Sequence, residues 1–229
     1  MLATGAAFED TDMAVPRILI VSPTKREMES FLRLAGRYKC HHLVCGLGPG
    51  STSFELTKFI ESRGAPYTVI LAGVAGAYQW ADVELEDVCL ASSEAYGDLG
   101  RHGPSGIEPI SLEGDKTQTE FALEPGWGRI IKPDIVEKLG IRCGPMVTVS
   151  CVTGTSESAR DLHERFKSIA ENMEGAAAAQ VCDYYQVPLL EFRGISNWVG
   201  DFDKKNWRLN QALNATAKIL EKVLGVLLD

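Results

Sequence analysis

Glu171-Asn172-Met173-Glu174-Gly175, an alanine run from Ala176 to Ala179, then Pro188-Leu189-Leu190-Glu191-Phe192-Arg193-Gly194-Ile195-Ser196-Asn197 form the stretch that sets the reading of this chain, and it closes on Asp201, Asp203 and Trp207. The helix opened by Gly175 is apolar nearly all round, with Gln180, Asp183 and Gln186 on one narrow stripe. Such a helix is packed on most sides, in the middle of a domain or at a subunit contact. Leu189 to Ile195 then reads as a central strand. Met173-Glu174-Gly175 stands at the mouth of the helix and Ser196-Asn197 at the end of the strand. Open α/β sheets place ligands beyond the carboxyl ends of their strands, so Glu174 and Asn197 read as two halves of one pocket.

Upstream the chain repeats a simpler unit. Arg17-Ile18-Leu19-Ile20-Val21 is a continuous apolar run with β-branched residues, the pattern of a strand buried on both faces of a parallel sheet. Ser22-Pro23-Thr24 breaks it, and a helix follows with Met28, Phe31, Leu32 and Leu34 on one side. His42 to Cys45 is a second strand that feeds Gly46-Leu47-Gly48-Pro49-Gly50, with helix from Ser51 to about Arg63. Tyr67 to Leu71 is a third, feeding Gly73-Val74-Ala75-Gly76. Strand, glycine turn and helix in repetition predict crossover units and a mostly parallel sheet. Val83 to Tyr96 is more strand-like and antiparallel. Gly97 to Gly128 is rich in glycine and proline with little periodicity, which suggests a substrate-covering insertion. A short helix over Pro133 to Leu139, a strand over Met146 to Val152, an amphipathic helix over Thr155 to Ser168 and a long final helix over Leu209 to Leu228 complete the pattern.

The 229 residues suit one domain. Residues 1–15, with Glu9, Asp10 and Asp12 and no basic segment, read as a disordered tail rather than a signal peptide, with Met13 an alternative start, and residues 16–229 as a single domain. A net charge of −8 argues against nucleic-acid or membrane partners and for a small soluble ligand. Cys40, Cys45, Cys89, Cys143, Cys151 and Cys182 lack C-x-x-C spacing and read as reduced thiols of a cytoplasmic protein. No apolar run reaches the ~18 residues of a membrane span. His41, His42, His102 and His163 show no metal spacing, so neither a metal nor an organic cofactor is implied.

Chemistry concentrates at few residues. The glycines at 46, 48 and 50 do not make a dinucleotide fingerprint, which needs G-x-G-x-x-G and an acidic residue about twenty positions on. No Gly-Lys-Ser/Thr follows either loop, which excludes a P-loop. The loops are either tight turns or places where backbone amides approach a ligand. Thr24-x-x-Glu27 is a capping box, in which the glutamate serves the helix start; from the residues alone that structural role is the simpler one. Glu174 could likewise serve the positive end of a helix dipole, but a carboxylate between Met173 and Gly175-Ala176 is desolvated and needs a partner. Two adjacent hydroxyls would suit it, one for each oxygen. Asn197 could simply cap the turn after its strand.

Met173-Glu174-Gly175-Ala176 followed a helix later by Arg193-Gly194-Ile195-Ser196-Asn197, together with the two glycine loops, resembles the nucleoside phosphorylase and nucleosidase family over roughly residues 17–225, and within it most the branch of futalosine hydrolases. The resemblance implies a three-layer nucleoside phosphorylase-like α/β fold whose central mixed, largely parallel sheet is flanked by helices, and a homodimer whose partner can contribute to the pocket. It implies a small-molecule nucleoside substrate and cleavage of its glycosidic bond through an oxocarbenium-like state. By the same likeness Glu27 activates water, a task that suits a carboxyl raised toward neutrality. Glu174 holds the ribose diol and Met173 packs on the sugar face. Val149 to Thr155 is the base-binding segment, with Val152 against the purine. Ala75, Gly76, Ser196 and Trp207 line the substrate.

The resembling methylthioadenosine and adenosylhomocysteine nucleosidases carry aspartate at the position of Asn197. Asparagine cannot supply a proton, but its amide offers an acceptor to an N7 proton and a donor to a carbonyl at position six, which fits hypoxanthine or guanine better than adenine and points to a 6-oxopurine leaving group, hypoxanthine in the futalosine hydrolases. Phosphorylases of the family carry an arginine where Leu71 stands, so water is the expected nucleophile, with Arg26 the one cation that favours phosphate. For a benzoate-bearing 5′ substituent, Lys25, Arg101 and His102 are the candidate donors and Phe121, Phe202 and Trp207 the candidate walls. An adenine-releasing nucleosidase, a purine nucleoside phosphorylase and a non-catalytic nucleoside-binding protein are the rival readings.

Overall fold

The computed structural model describes residues 17–103, 106–108, 118–201 and 203–228, the side chain of His102 excepted. The tail expected over residues 1–15, and Phe202, lie outside them.

The apolar run at the start becomes β1 (Ile18–Ser22), buried at every position. Thr24 then caps α1 (Lys25–Ala35), its hydroxyl accepting from Glu27 N at 3.3 Å. β2 (His41–Val44) leads through Gly46 and Gly48, at φ +84° and +83°, into α2 (Gly48–Arg63). This helix starts within the glycine loop rather than at Ser51, because Pro49 suits the first helical turn, where an N–H has no partner to lose.

The second glycine segment is not a turn. β3 (Thr68–Ala77) runs straight through Gly73-Val74-Ala75-Gly76, and no helix follows it. Its glycines serve close approach instead: a Cβ on Gly73 would stand 2.7 Å from Arg193 Nη1 and 3.0 Å from Glu27 Oε1. The repeated crossover unit thus ends after two copies, and β4 (Val88–Tyr96) comes next.

The glycine-rich insertion contains the hairpin β5 (Arg101–Gly103) and β6 (Gly106–Glu108), then β7 (Glu120–Ala122) and the short α3 (Glu124–Trp127). α4 (Pro133–Lys138) precedes β8 (Arg142–Thr148), which begins and ends earlier than the expected Met146–Val152. Thr155 caps α5 (Ser156–Phe166), and β9 (Ala170–Asn172) is a three-residue strand that sequence periodicity does not reveal. α6 (Gly175–Tyr184), β10 (Leu189–Trp198) and α7 (Leu209–Leu228) finish the chain.

β1 lies between β2 and β3, all parallel. β3 pairs in parallel with β10 and antiparallel with β9; β10 pairs antiparallel with β4; β4 and β8, and β8 and β9, are parallel. Five strands, β3, β10, β4, β8 and β9, therefore close into a ring, from which β1 and β2 extend on one side and β7 on the other. The sheet is mixed and largely parallel, as expected.

Alternation along β10 sends successive side chains to opposite faces. Gly194 faces α7, so closely that a Cβ would collide with Thr216 and the carbonyl of Ala212. Glu191 and Arg193 face the start of α6. Helices thus flank the sheet on both sides, α1 packing with α7 and α2 with α6. None of the helices among the described residues is long and apolar enough to cross a membrane.

Candidate active site

Glu27 sits in the first turn of α1 and is 6% exposed. Its carboxylate reaches the Thr24 hydroxyl rather than the Thr24 backbone N–H that a complete capping box would use. Oε2 accepts from Thr24 Oγ1 at 2.6 Å, and Oε1 reaches across to β3 to accept from Val74 N at 3.2 Å. Burial raises its pKa above the ordinary carboxylate value, while the Thr24 hydroxyl and the Arg193 charge pull the other way. Thr24 thus caps the helix, and Glu27 is left as a buried carboxylate facing the second glycine segment.

Glu174 is the residue just before α6 and is 3% exposed. Gly48 N, at the opening of α2, donates to its Oε1 at 3.1 Å, and Arg193 Nη1 to its Oε2 at 3.2 Å. One glycine loop therefore brings a backbone amide to Glu174, and the other brings Val74 N to Glu27. Arg193, fully buried on β10, is ion-paired with Glu174 and acts on Glu27 through its charge alone. Besides Glu174 it donates to Glu191 Oε1 at 2.8 Å, to Asn172 Oδ1 at 3.1 Å and to Val74 O at 3.4 Å. Asn172 Oδ1 also accepts from the backbone N–H groups of Glu174 and Gly175, which fixes the start of α6.

Asn197 lies further along β10, where the pairing with β3 slips. Ile195 is opposite Ala75 and Asn197 opposite Gly76, so Ser196 is an extra residue in a bulge. Bulges re-aim side chains beside active sites. The Ser196 carbonyl that the bulge frees is taken by Arg208 N at 2.7 Å. Ser196 Oγ donates to Asn197 Oδ1 at 2.8 Å, and Asn197 Nδ2 donates to Trp198 O at 3.1 Å. Each end of the amide keeps capacity for a second hydrogen bond. Gly76 is again a close approach, with Asn197 Nδ2 3.1 Å from where its Cβ would be.

The Val149–Thr155 segment follows β8 and is pinned by Glu171. Thr153 donates to that carboxylate twice, from N at 2.9 Å and from Oγ1 at 2.5 Å, and Tyr78 Oη adds a third bond at 3.2 Å. Val152 is 42% exposed at the tip. Met173 is half-buried beside Glu174. Trp207 is half-buried in the loop after β10, its indole N–H donating to Asp201 O at 3.1 Å.

Among the residues expected to meet a 5′ substituent, Lys25 is exposed on α1, and Arg101 is taken by Glu108 across the β5–β6 hairpin at 2.8 Å. Phe121 is a core residue, 4% exposed and edge-on to Tyr96, because β7 packs it inward. The His102 side chain and Phe202 lie outside the described residues. Arg193, Asn172 and Glu191 carry the geometry without having been assigned a role from sequence; ionisable residues inside an apolar strand, Leu-Leu-Glu-Phe-Arg-Gly-Ile, were the available signal.

A closed mixed sheet flanked by helices, with buried carboxylates just beyond β1 and β9, defines the α/β frame of the site. The sequence model of the Phosphorylase superfamily matches residues 13–225, and the chain belongs to that superfamily. It is 31% identical over 219 residues to a futalosine hydrolase from Thermus thermophilus, covering 90% of this chain and 95% of the relative. In solved structures its fold is similar to the 5′-methylthioadenosine/S-adenosylhomocysteine nucleosidase from Helicobacter pylori, with TM-score 0.78 at 20% identity, covering 93% of this chain and 99% of the other. A futalosine hydrolase structure from the same organism gives TM-score 0.77 at 20% identity, again covering 93% and 99%.

Proposed function

We propose that this protein hydrolyses the N-glycosidic bond of futalosine, releasing hypoxanthine and dehypoxanthinyl futalosine for menaquinone biosynthesis, as a cytoplasmic homodimer. The observation that carries the reading is the combination of two buried carboxylates, Glu27 held by Val74 N and Glu174 ion-paired with Arg193, at one end, with the amide of Asn197 at the other. The 31% identity to a futalosine hydrolase supports the choice of substrate.

Glu174 takes the two ribose hydroxyls, each oxygen keeping its present donor and accepting one more. Met173 lies against the sugar. The C1′–N9 bond breaks through an oxocarbenium-like state, its electron pair leaving with the base. Water adds to C1′ and gives its proton to Glu27, whose raised pKa suits a general base. The departing hypoxanthine takes up a proton from solvent at N7; Asn197 accepts from that N7–H and donates to O6, while Ser196, Ala75, Gly76 and Val152 line the base and Trp207 closes the far side.

Two observations favour water over phosphate. Leu71 is fully buried in the core, and Arg26 is exposed and donates to Asn210 Oδ1 at 2.9 Å. The test is a phosphate-free incubation with futalosine, aminodeoxyfutalosine, inosine and methylthioadenosine separately, following free base by chromatography. Hypoxanthine from futalosine is the expected product. Adenine from the aminated substrates alone would overturn the role of Asn197, and release only after phosphate is added would make the protein a phosphorylase.

A further inference from the structure

Beneath Glu174 and Arg193 lies a second pair of carboxyl groups that the reaction above does not use. Glu94 on β4 and Glu191 on β10 are 1% and 0% exposed. Both converge on the space beside Gly175, where a Cβ would collide with an oxygen of each. Two ionised carboxylates cannot share so dry a space without strong repulsion.

Their partners are unequal. Glu94 accepts from Asn172 Nδ2 at 2.5 Å and from Thr148 Oγ1 at 2.8 Å. Glu191 Oε1 accepts from Arg193 Nε, but Glu191 Oε2 has no donor among the described residues. A buried acceptor without a donor carries its full desolvation cost, and a proton on Glu94 would let one carboxyl group donate to the other.

We propose that Glu94 and Glu191 share one proton as an acid pair, and that this pair is a positioning element which fixes Arg193 between Glu174 and Glu27. The functional part rests on the roles proposed above for those two carboxylates. Burial, then the Glu191 charge, push the Glu94 carboxyl well above the ordinary range. Burial raises Glu191 while Arg193 opposes it. Glu191, Arg193, Glu174 and the phenols of Tyr78 and Tyr96 are the titratable groups around the pair. With one proton held between them, the single positive charge of Arg193 faces two negative charges, Glu174 and the pair, rather than three. Its guanidinium is then gripped at Nε by Glu191 and aimed at Glu174 by Nη1.

Two variants test this. Glu94→Gln keeps a donor where the acid O–H stood, and kcat/KM for futalosine stays within about threefold of wild type. Glu94→Met fills similar space without a donor, and kcat/KM falls at least about tenfold. Equal activity in the two variants, whether both retained or both lost, would overturn the positioning role.

A second readout needs no substrate. A folded state that holds a proton the unfolded chain has released loses stability as pH rises above the ordinary glutamate range. From pH 5 to 7 the wild-type Tm therefore falls relative to that of Glu94→Gln by about 3 °C per pH unit. A constant difference would rule out the shared proton. If the wild type cleaves no nucleoside, the functional reading fails while this measurement still decides the pair.

Discussion

At the proposed sugar end of the site, Glu27, Glu174 and Arg193 put three ionisable groups out of water, the carboxylates held by charge-assisted hydrogen bonds from two glycine segments and from Arg193. At the proposed base end, a single neutral hydrogen bond links Ser196 to Asn197 beside a strand bulge. The first arrangement suits a centre where charge develops, because fixed groups in a low dielectric need no reorganisation as it forms. The second suits discrimination, because a wrong pattern of donors and acceptors leaves buried groups unpaired. Changes at the sugar end should therefore slow every substrate, and changes at the base end should alter which substrate is chosen.

The largest effect is expected from Glu27→Gln, which retains the contact to Val74 N but cannot take a proton: turnover falls at least ~10² with little change in Tm. Initial rates with futalosine measure it, and full activity would return Glu27 to its place in helix capping. Next comes the pH profile. With the Glu27 carboxyl raised by burial and a base needed in its ionised form, kcat/KM falls about tenfold per pH unit on the acid side, beginning above the ordinary glutamate value; a profile flat through weak acid would break the assignment. Asn197→Asp comes third, cutting hypoxanthine release from futalosine about tenfold while raising activity on adenine nucleosides, read by competing the two substrates in one reaction. A uniform loss on both would erase the contrast between the ends. Smallest is Thr153→Val, which removes one of three donors to Glu171 and raises KM about threefold at constant kcat.

Much of this was readable in the chain, for physical reasons that differ by element. β1 and α7 declared themselves because a buried apolar run and a long amphipathic pattern are properties of the residues alone. Gly46–Gly50 and Gly73–Gly76 looked alike and are not: the first supplies left-handed φ at a helix start, the second leaves room for Arg193 and Glu27 inside a strand. Sequence shows that a side chain is missing but not which neighbour fills the space. β9 was invisible because three residues carry no period. Glu171, Asn172 and Glu174 were quoted together, yet their separate duties follow from alternation about β9 and the start of α6, with Glu171 turned to Thr153 and Asn172 to Arg193. Glu94, within Ala91-Ser92-Ser93-Glu94-Ala95, reads as an ordinary exposed strand residue, and only the closing of β4 against β8 and β10 buries it.

That closure also sets an order of events during synthesis. β3 and β4 are made early, but the strand that joins them, β10, emerges only after residue 188. Until then both carry an unpaired edge, a template for pairing with another chain, and contacts so distant in sequence form slowly. The same late strand carries Glu191, Arg193, Ser196 and Asn197. A chain halted before it has neither a sealed barrel nor these four side chains, so the closing of the fold and the completion of the candidate site arrive together.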